Sequence, residues 1–435
     1  MSQKLQDILI SCERPDYRRS LGDLREKIVK AARFEPGDER KKSLDEIIRK
    51  VAAKKDKAVA AFTAEFDNVN LLPAEFRVSQ EQLQRAHKQT DAALLSSLRG
   101  AIANVRKYQS EILLSKDNTH PGVKYTPLKR VGVCVPGASA PLPSTVIMTA
   151  VPAQVAGVTE IAVVSPPRYK GGIHPVTLAA CFELGITEVY RIGGAQAVAA
   201  MAYGTETIPR VDKIVGPGNT WVQMAKKEVF GLVDIDSIAG PSEVLIIADS
   251  RANPAWVAAD MLSQAEHAPG SAIVFTDSHD IAQAILQELA GQVKLLDRAD
   301  QTTECLINYS GIVVFANMDE AIDQANDFAP EHLQIQCGDQ TGNIAERIEN
   351  AGAIFIGPYT PVAVGDYWAG PSHTLPTGMS AKFFSALSSN DFVKASSVIE
   401  YDKQKLAECE KDITRLAMTE GLDAHAKSVQ IRQKK

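Results

Sequence analysis

The sequence predicts an α/β protein with parallel sheets, and three observations lead to this fold class. Short apolar segments recur along the middle of the chain, and most are continuous, as is typical of strands buried on both faces of a parallel sheet. Helical patterns separate these segments, and such alternation favours parallel pairing. Hydrophobic residues make up 45% of the chain, which is enough for a sizeable core.

The predicted strands span residues 130–135, 160–165, 188–192, 213–215, 243–248, 272–276, 311–315 and 353–356. Between the first four of these strands lie three predicted helices, at 145–156, 175–184 and 195–203. The pattern is also helical at 21–32, 43–62 and 79–114 and again after about residue 388. Glycine and proline at 215–219 and 239–242 predict a change of structural unit near residue 240.

Length, charge and cysteine spacing exclude several classes of protein. The 435 residues predict two or three packed units, and the net charge of -6 without a basic stripe argues against nucleic-acid binding. No apolar run reaches the roughly 18 residues of a membrane helix, and the first residues lack the apolar segment of a signal peptide. We therefore expect a cytoplasmic protein. None of the six cysteines has C-x-x-C spacing, so we expect reduced thiols.

The common nucleotide-binding motifs, G-x-G-x-x-G and G-x-x-x-x-G-K-[ST], are absent. However, the segment Ile-Gly-Gly-Ala-Gln at 192–196 follows a predicted strand and opens a predicted helix. Glycines at such a place let the backbone approach a ligand, and the helix N-terminus favours an anion. The same segment also fits an ordinary tight turn, so the residues alone leave both interpretations open.

Gln264 and His267 end a predicted helix that begins near residue 253. Residues three apart share a helix face, so an amide oxygen and an imidazole nitrogen could bind one metal such as zinc. The alternative is an ordinary helix C-terminus, where a histidine interacts well with the helix dipole.

Glu331 and His332 are adjacent and lie between a helical pattern and a short strand. Consecutive side chains point apart, but the two could flank one substrate, one as proton acceptor and the other as activator of water. The alternative is a surface Glu-His step with no role in chemistry.

Three further elements carry polar groups that are weak indicators singly. Asp366 follows a glycine beyond the last predicted strand and could supply an oxygen ligand, although Asp and Gly are also typical of turns. His373, in the same loop, is a weaker candidate. Glu420 and His425 lie near the C-terminus, where the local pattern alone predicts a helix end.

Taken together and in order, these motifs resemble the histidinol dehydrogenase family across nearly the whole chain. The matching segments are at 135–137, 143–145, 192–197, 215–219, 239–243, 264–267, 329–333, 365–367, 373–377, 420–421 and 424–425.

The resemblance implies a homodimer of domain-swapped chains, each with two Rossmann-like units that lack the usual glycine motif. It implies a first unit at 28–133 plus 246–387 and an inserted NAD-binding unit at 134–245. The helical segment 1–27 would precede them, and the segment 388–435 would reach the partner subunit.

The same resemblance implies the functions of individual residues. Zinc would be bound by Gln264, His267, Asp366 and the partner's His425, and NAD would lie near Cys134, Gln196 and Asn219. Glu331 and His332 would be catalytic. The substrate would contact Ser242, Gln264, His267, His332, Asp366, Glu420 and His425, with Glu420 also coming from the partner.

The implied chemistry is the oxidation of L-histidinol to L-histidine through an aldehyde, with two NAD as hydride acceptors. His332 would accept the alcohol proton, Glu331 would activate water, and zinc would orient the substrate.

Five positions depart from the family pattern: Cys134 for tyrosine, Ala138 for glycine, Ala268 for aspartate, Val362 for glutamate and Ser372 for asparagine. These departures leave open a related enzyme for another polar primary alcohol, such as a sulfonated propanediol. A protein that binds zinc and nucleotide without turnover is a third possibility, against which the retained Glu331-His332 pair argues.

Overall fold

The structure, a computed structural model, describes residues 3–32, 39–114, 120–137, 140–267 and 269–433. Its helices are α1 (Gln3–Gln6), α2 (Tyr17–Ala32), α3 (Arg40–Asp67), α4 (Gln80–Gln89), α5 (Ala92–Ile112), α6 (Pro143–Ala156), α7 (Pro175–Glu183), α8 (Gly194–Tyr203), α9 (Thr220–Val229), α10 (Pro254–Ala265), α11 (His279–Gln292), α12 (Ala299–Tyr309), α13 (Met318–Phe328), α14 (Thr341–Glu346), α15 (Val362–Tyr367), α16 (Lys403–Thr419) and α17 (Asp423–Gln430). Its strands are β1 (Leu9–Ser11), β2 (Val123–Pro127), β3 (Arg130–Cys134), β4 (Glu160–Val164), β5 (Glu188–Tyr190), β6 (Lys213–Val215), β7 (Asp234–Ile235), β8 (Ser242–Ala248), β9 (Gly270–Thr276), β10 (Gly311–Val314), β11 (His332–Gln336), β12 (Ala353–Ile356) and β13 (Val393–Ser397).

The chain divides into two compact units, each described by itself. The first unit comprises Met1–Leu113 and Pro127–Phe392, and the second comprises Leu114–Thr126 and Val393–Lys435. In the second unit, β2 and β13 form a two-stranded sheet, and α16 packs on α17. The boundaries predicted from the sequence, at residues 27, 133, 245 and 387, remain predictions.

Two parallel sheets form the framework of the first unit. One has the strand order β1-β10-β9-β8-β11-β12 and the other β5-β4-β3-β6-β7, and every strand pair in both is parallel among the described residues. The α/β class with parallel sheets is therefore confirmed. The eight predicted strands are all present, and β11 is the short strand expected beside Glu331 and His332, while β1, β2, β7 and β13 were not predicted.

The six-stranded sheet explains why its strands are continuous apolar runs. Successive side chains in a strand point to opposite faces. In β8, Val244 and Ile246 pack into a core with α10 and α11, while Leu245 and Ile247 pack into a second core with α2 and α13. Because both faces are covered by helices, a polar residue on either face would need a hydrogen-bond partner.

The five-stranded sheet is held on one side by helix α3. Leu44, Ile47 and Val51 of α3 share a core with Val198 of α8 and Ile214 of β6. Helix α3, which precedes β3 in the chain, therefore covers one face of the five-stranded sheet. Within the described residues, no helix is both long enough and apolar enough to cross a bilayer.

Three charged residues link the amino ends of adjacent strands in the five-stranded sheet. Buried Arg130 of β3 donates to Glu160 of β4 at 3.0 Å and to both carboxylate oxygens of Glu188 of β5, at 2.6 and 2.9 Å. The Arg130 hydrogen bond holds the pKa of Glu188 below its usual value, although burial acts in the opposite direction. Arg130 thus balances the partly buried Glu188 and shares Glu160 with the exposed Lys129.

We expect Arg130→Met to lower the free energy of unfolding by about 2 kcal/mol, because the partly buried Glu188 would lose the cation to which it is hydrogen-bonded. The matched control is Lys129→Met, since Lys129 is exposed and pairs with Glu160 at 3.3 Å. An exposed pair of this kind contributes less than about 1 kcal/mol. Urea denaturation of the three proteins would measure the difference, and equal losses for the two variants would contradict the assignment.

Candidate active site

The candidate site forms where three segments meet at the amino edge of the six-stranded sheet. Strands β8 and β11 are parallel neighbours that begin at Ser242 and His332. Helix α10 connects β8 to β9, so its C-terminal turn, with Gln264, returns to the same edge. The pairing of β8 with β11 brings Ser242 and His332, about ninety positions apart, to one edge, and sequence spacing does not reveal this proximity.

Glu331 and His332 are both bound by the backbone of Glu243. The Glu243 N–H donates to Glu331 Oε2 at 2.8 Å, and the Glu243 carbonyl lies 2.9 Å from His332 Nδ1. Because a carbonyl can only accept, Nδ1 carries the proton and Nε2 is the basic nitrogen. Nε2 is buried without a hydrogen-bond partner in the described structure and lies 3.8 Å from Asp366 Oδ1. It is therefore available to a substrate.

Burial changes the acidity of these groups. It raises the pKa of Glu331 to about 7 and, with help from nearby Glu331, the pKa of Glu243 to about 8. Burial lowers the pKa of His332, but the carboxylates of Glu331 and Asp366 outweigh it and raise this pKa above its usual value. Shifts of this kind, in a concave site, are typical of groups that transfer protons.

These groups open onto a cavity of about 210 Å³, which we call the active-site cleft. The predicted site residues that line it are Ser242, Gln264, His267, Glu331, His332, Asp366 and His373. The structure thus brings together the predicted residues of the first unit that the resemblance assigned to zinc, substrate and catalysis.

Gln264, His267 and Asp366 have the chemistry of a zinc site. Across the described residues, no group of three or more His, Cys, Asp or Glu side chains is arranged to hold a metal, and here one of the three is an amide. Gln264 is buried, and its Nε2 has no partner in the described chain. The cleft also lies at the C-terminal end of α10, where the helix dipole favours a cation. One imidazole and two oxygen donors fit zinc, with positions left for further ligands.

His267 differs in position from its prediction. We expected Gln264 and His267 on one helix face, but α10 ends at Ala265, so His267 lies two residues beyond the helix. Its N–H still donates to the Gln264 carbonyl at 3.3 Å, which continues the turn. This turn keeps both residues on the cleft.

Two further pockets lie at the carboxyl ends of the five-stranded sheet. The glycine pocket, of about 170 Å³, is lined by Cys134, Asn219 and four glycines at 137, 193, 194 and 218. The aromatic pocket, of about 320 Å³, is lined by Gln196, Asn219, Phe66 and Trp221. The three residues predicted at the cofactor therefore line two adjacent pockets, at the edge of a parallel sheet where nucleotides commonly bind.

A buried ion pair positions the loop that carries Asn219, and the sequence did not indicate it. The fully buried Lys226 pairs with Asp236 and donates to the Gly216 carbonyl at 3.0 Å. Asp236 also accepts from the Gly216 N–H at 2.7 Å. Glu243 was also not predicted as a site residue, although a glutamate in an otherwise apolar strand segment indicates a buried carboxylate.

The departures from the family pattern have different structural settings. Cys134 is buried beside the glycine pocket, and burial raises its pKa to about 12. Ser372 donates to the Met148 carbonyl at 2.9 Å and accepts from the Thr374 N–H, so it orders the cleft-lining loop. Val362 is buried at the start of α15. Ala138 and Ala268 lie outside the described residues.

Glu420 and His425 belong to the second unit. Glu420 is the C-terminal cap residue of α16, His425 lies in α17, and both are exposed. Their predicted participation in the site of a partner subunit remains a prediction.

Comparison with known proteins gives a consistent result. A family model described as histidinol dehydrogenase matches residues 33–433. Relatives with this name from Rhodopirellula baltica and Oceanobacillus iheyensis are 47% and 48% identical, over 89% of this chain and 86% and 92% of their own lengths. A crystal structure of histidinol dehydrogenase from Elizabethkingia anophelis matches with a TM-score of 0.87 and 34% identity, covering 94% of this chain and 95% of that one.

We expect Gly216→Ala to disrupt the Asn219 loop and to lower the free energy of unfolding by about 3 kcal/mol or more. Gly216 has φ +103°, and a Cβ there would lie 2.3 Å from the Cys134 carbonyl oxygen.

Gly231→Ala is the matched control. Its φ is +96°, but nothing lies within 4 Å of its Cβ position, so only the backbone strain of about 1 kcal/mol applies. Calorimetric unfolding would compare the two variants, and similar losses would show that the carbonyl contact is unimportant.

Proposed function

Because this chain belongs to the histidinol dehydrogenase family, we propose that it oxidises L-histidinol to L-histidine in two NAD-dependent steps, in histidine biosynthesis. The observation that carries the proposal is the active-site cleft, where a buried Glu-His pair faces three candidate zinc ligands. A protein that only bound zinc and nucleotide would need no such pair of proton-transfer groups.

His332 is suited to accept the proton of the alcohol. Its Nδ1 is fixed by the Glu243 carbonyl, so the imidazole cannot turn, and its unpartnered Nε2 is the basic atom. NAD, when bound, supplies the acceptor for the hydride that leaves the carbinol carbon. Nε2 would take the alcohol proton, so that loss of this proton and of the carbinol hydride would give the aldehyde.

Glu331 is suited to activate water in the second oxidation. One of its oxygens is held by the Glu243 N–H, and its pKa of about 7 matches a base working near neutrality. It would take a proton from a water that adds to the aldehyde carbon, while the protonated His332 returns its proton to the aldehyde oxygen, which gives the hydrate and leaves His332 neutral. His332 would then accept a hydrate proton in the second oxidation.

Gln264, His267 and Asp366 would hold zinc, and the metal would supply a Lewis acid that orients the amine and imidazole nitrogens of the substrate. We further propose that the active protein is a domain-swapped homodimer, in which His425 of the partner subunit completes the zinc site. Glu420 of the partner subunit would contact the substrate. Both side chains are exposed in the second unit, so they are accessible to another chain.

Reduction of NAD by purified protein with L-histidinol tests the function. We expect two NADH per histidinol, loss of activity with a chelator and recovery with zinc. If the protein oxidises another polar diol but not histidinol, it is instead the related enzyme for another polar alcohol, the alternative that the departures at Cys134 and Ser372 left open. Retained binding of zinc and NAD without turnover of any alcohol would favour the non-catalytic protein.

His332→Asn should lower the rate of histidinol oxidation by about 100- to 10,000-fold, because the base for the alcohol proton is removed. Glu331→Gln should reduce the oxidation of supplied histidinal more than the alcohol step. Steady-state kinetics with each substrate would separate the two effects. His279→Asn is the control, since His279 does not line the cleft and should leave both rates within about twofold. Equal, mild effects of the two site variants would contradict the assigned roles.

A further inference from the structure

Three pockets of the first unit are neighbours that share lining residues. The active-site cleft and the glycine pocket share Pro136 and Pro217. The glycine pocket and the aromatic pocket share Arg168, Gly194 and Asn219. The shared residues give the order active-site cleft, glycine pocket, aromatic pocket, and this order suits one elongated ligand.

The linings of the two outer pockets suit different parts of such a ligand. The glycine pocket has backbone where side chains would otherwise intrude. A Cβ at Gly137 or Gly193 would lie 2.5 or 2.6 Å from Pro166, so neither position has room for a side chain. The aromatic pocket is walled by Phe66 and Trp221, which suit a planar base.

Arg168 lies at the junction of these two pockets, just beyond the end of β4. Its Nε donates to Oδ1 of Asp67 at 2.8 Å, and the Asp67 side chain is only 2% exposed. Within the described chain this is the one side-chain hydrogen bond of the guanidinium, so both Nη groups remain available to a ligand. Asp67, which also lines the aromatic pocket, therefore fixes the position of a cation that lines both pockets.

We propose that Arg168 binds the diphosphate of an adenine dinucleotide whose adenosine occupies the aromatic pocket and whose other end reaches the active-site cleft. The proposal rests on the proposed use of NAD and adds a phosphate-binding residue and a direction for the cofactor. A guanidinium matches the geometry of phosphate oxygens, and its pairing with Asp67 leaves two N–H groups on one edge for them.

Isothermal titration of the full chain with ADP and with adenosine tests this assignment without turnover. Arg168→Gln should weaken ADP binding about tenfold, as expected for the loss of one charge-assisted contact, and should leave adenosine binding within twofold. Arg168→Lys should bind ADP with intermediate affinity, because it keeps the charge but not the planar group. Lys170→Gln is the matched control, since Lys170 carries the same charge in the same loop and lines neither pocket.

Three results would overturn the proposal: equal ADP binding by Arg168→Gln and the unchanged protein, equal losses for ADP and adenosine, or no ADP binding by the unchanged protein at millimolar concentration. The first would show that Arg168 only ties α3 to the sheet through Asp67. A protein that binds ADP through Arg168 but does not oxidise histidinol would refute the proposed function and leave this inference standing. If the protein oxidises histidinol but its ADP affinity does not depend on Arg168, the proposed function stands and this inference is refuted.

Discussion

The backbone of Glu243 binds both members of the Glu331-His332 pair, and much of the site depends on this arrangement. Its N–H donates to Glu331 and its carbonyl accepts from His332, so one peptide segment fixes a carboxylate and an imidazole together. The arrangement is possible because β8 and β11 are parallel neighbours that begin at the same edge. Backbone groups of a buried strand move little, so both proposed catalytic groups are held before a substrate arrives.

The side chain of Glu243 extends this constraint to the other wall of the cleft. Its Oε1 accepts from the Gly378 N–H at 2.9 Å, at the end of the loop that carries His373 and Thr374. Its Oε2 is buried without a partner in the described structure. Burial, and next the charge of Glu331, raise the pKa of the Glu243 carboxyl to about 8, so Glu243 favours its protonated form and lessens the repulsion on Glu331.

The sequence predicted the framework because the framework is a local property. Strands buried on both faces must be apolar throughout, and the runs at 243–248 and 311–315 are visible without any partner. The edge strand β7 was missed because its two residues, Asp234 and Ile235, form no apolar run. Gln264 and His267 were recognised as a pair because they are close in sequence. The pairing of Lys226 with Asp236, and of Glu243 with Glu331, depends on strand order, which periodicity does not encode.

The two sheets also present opposite ends to the functional groups. Proposed cofactor residues follow the carboxyl ends of β3 and β6, as is usual for parallel sheets, but Ser242 and His332 stand at the amino ends of β8 and β11. The chain passes from β7 into β8 through residues 236–241, and Asp236, Ala239 and Gly240 line the cleft. This short connection joins the carboxyl edge of one sheet to the amino edge of the other. The proposed cofactor residues at the first edge and the Glu331-His332 pair at the second therefore lie around neighbouring pockets, which share Pro136 and Pro217.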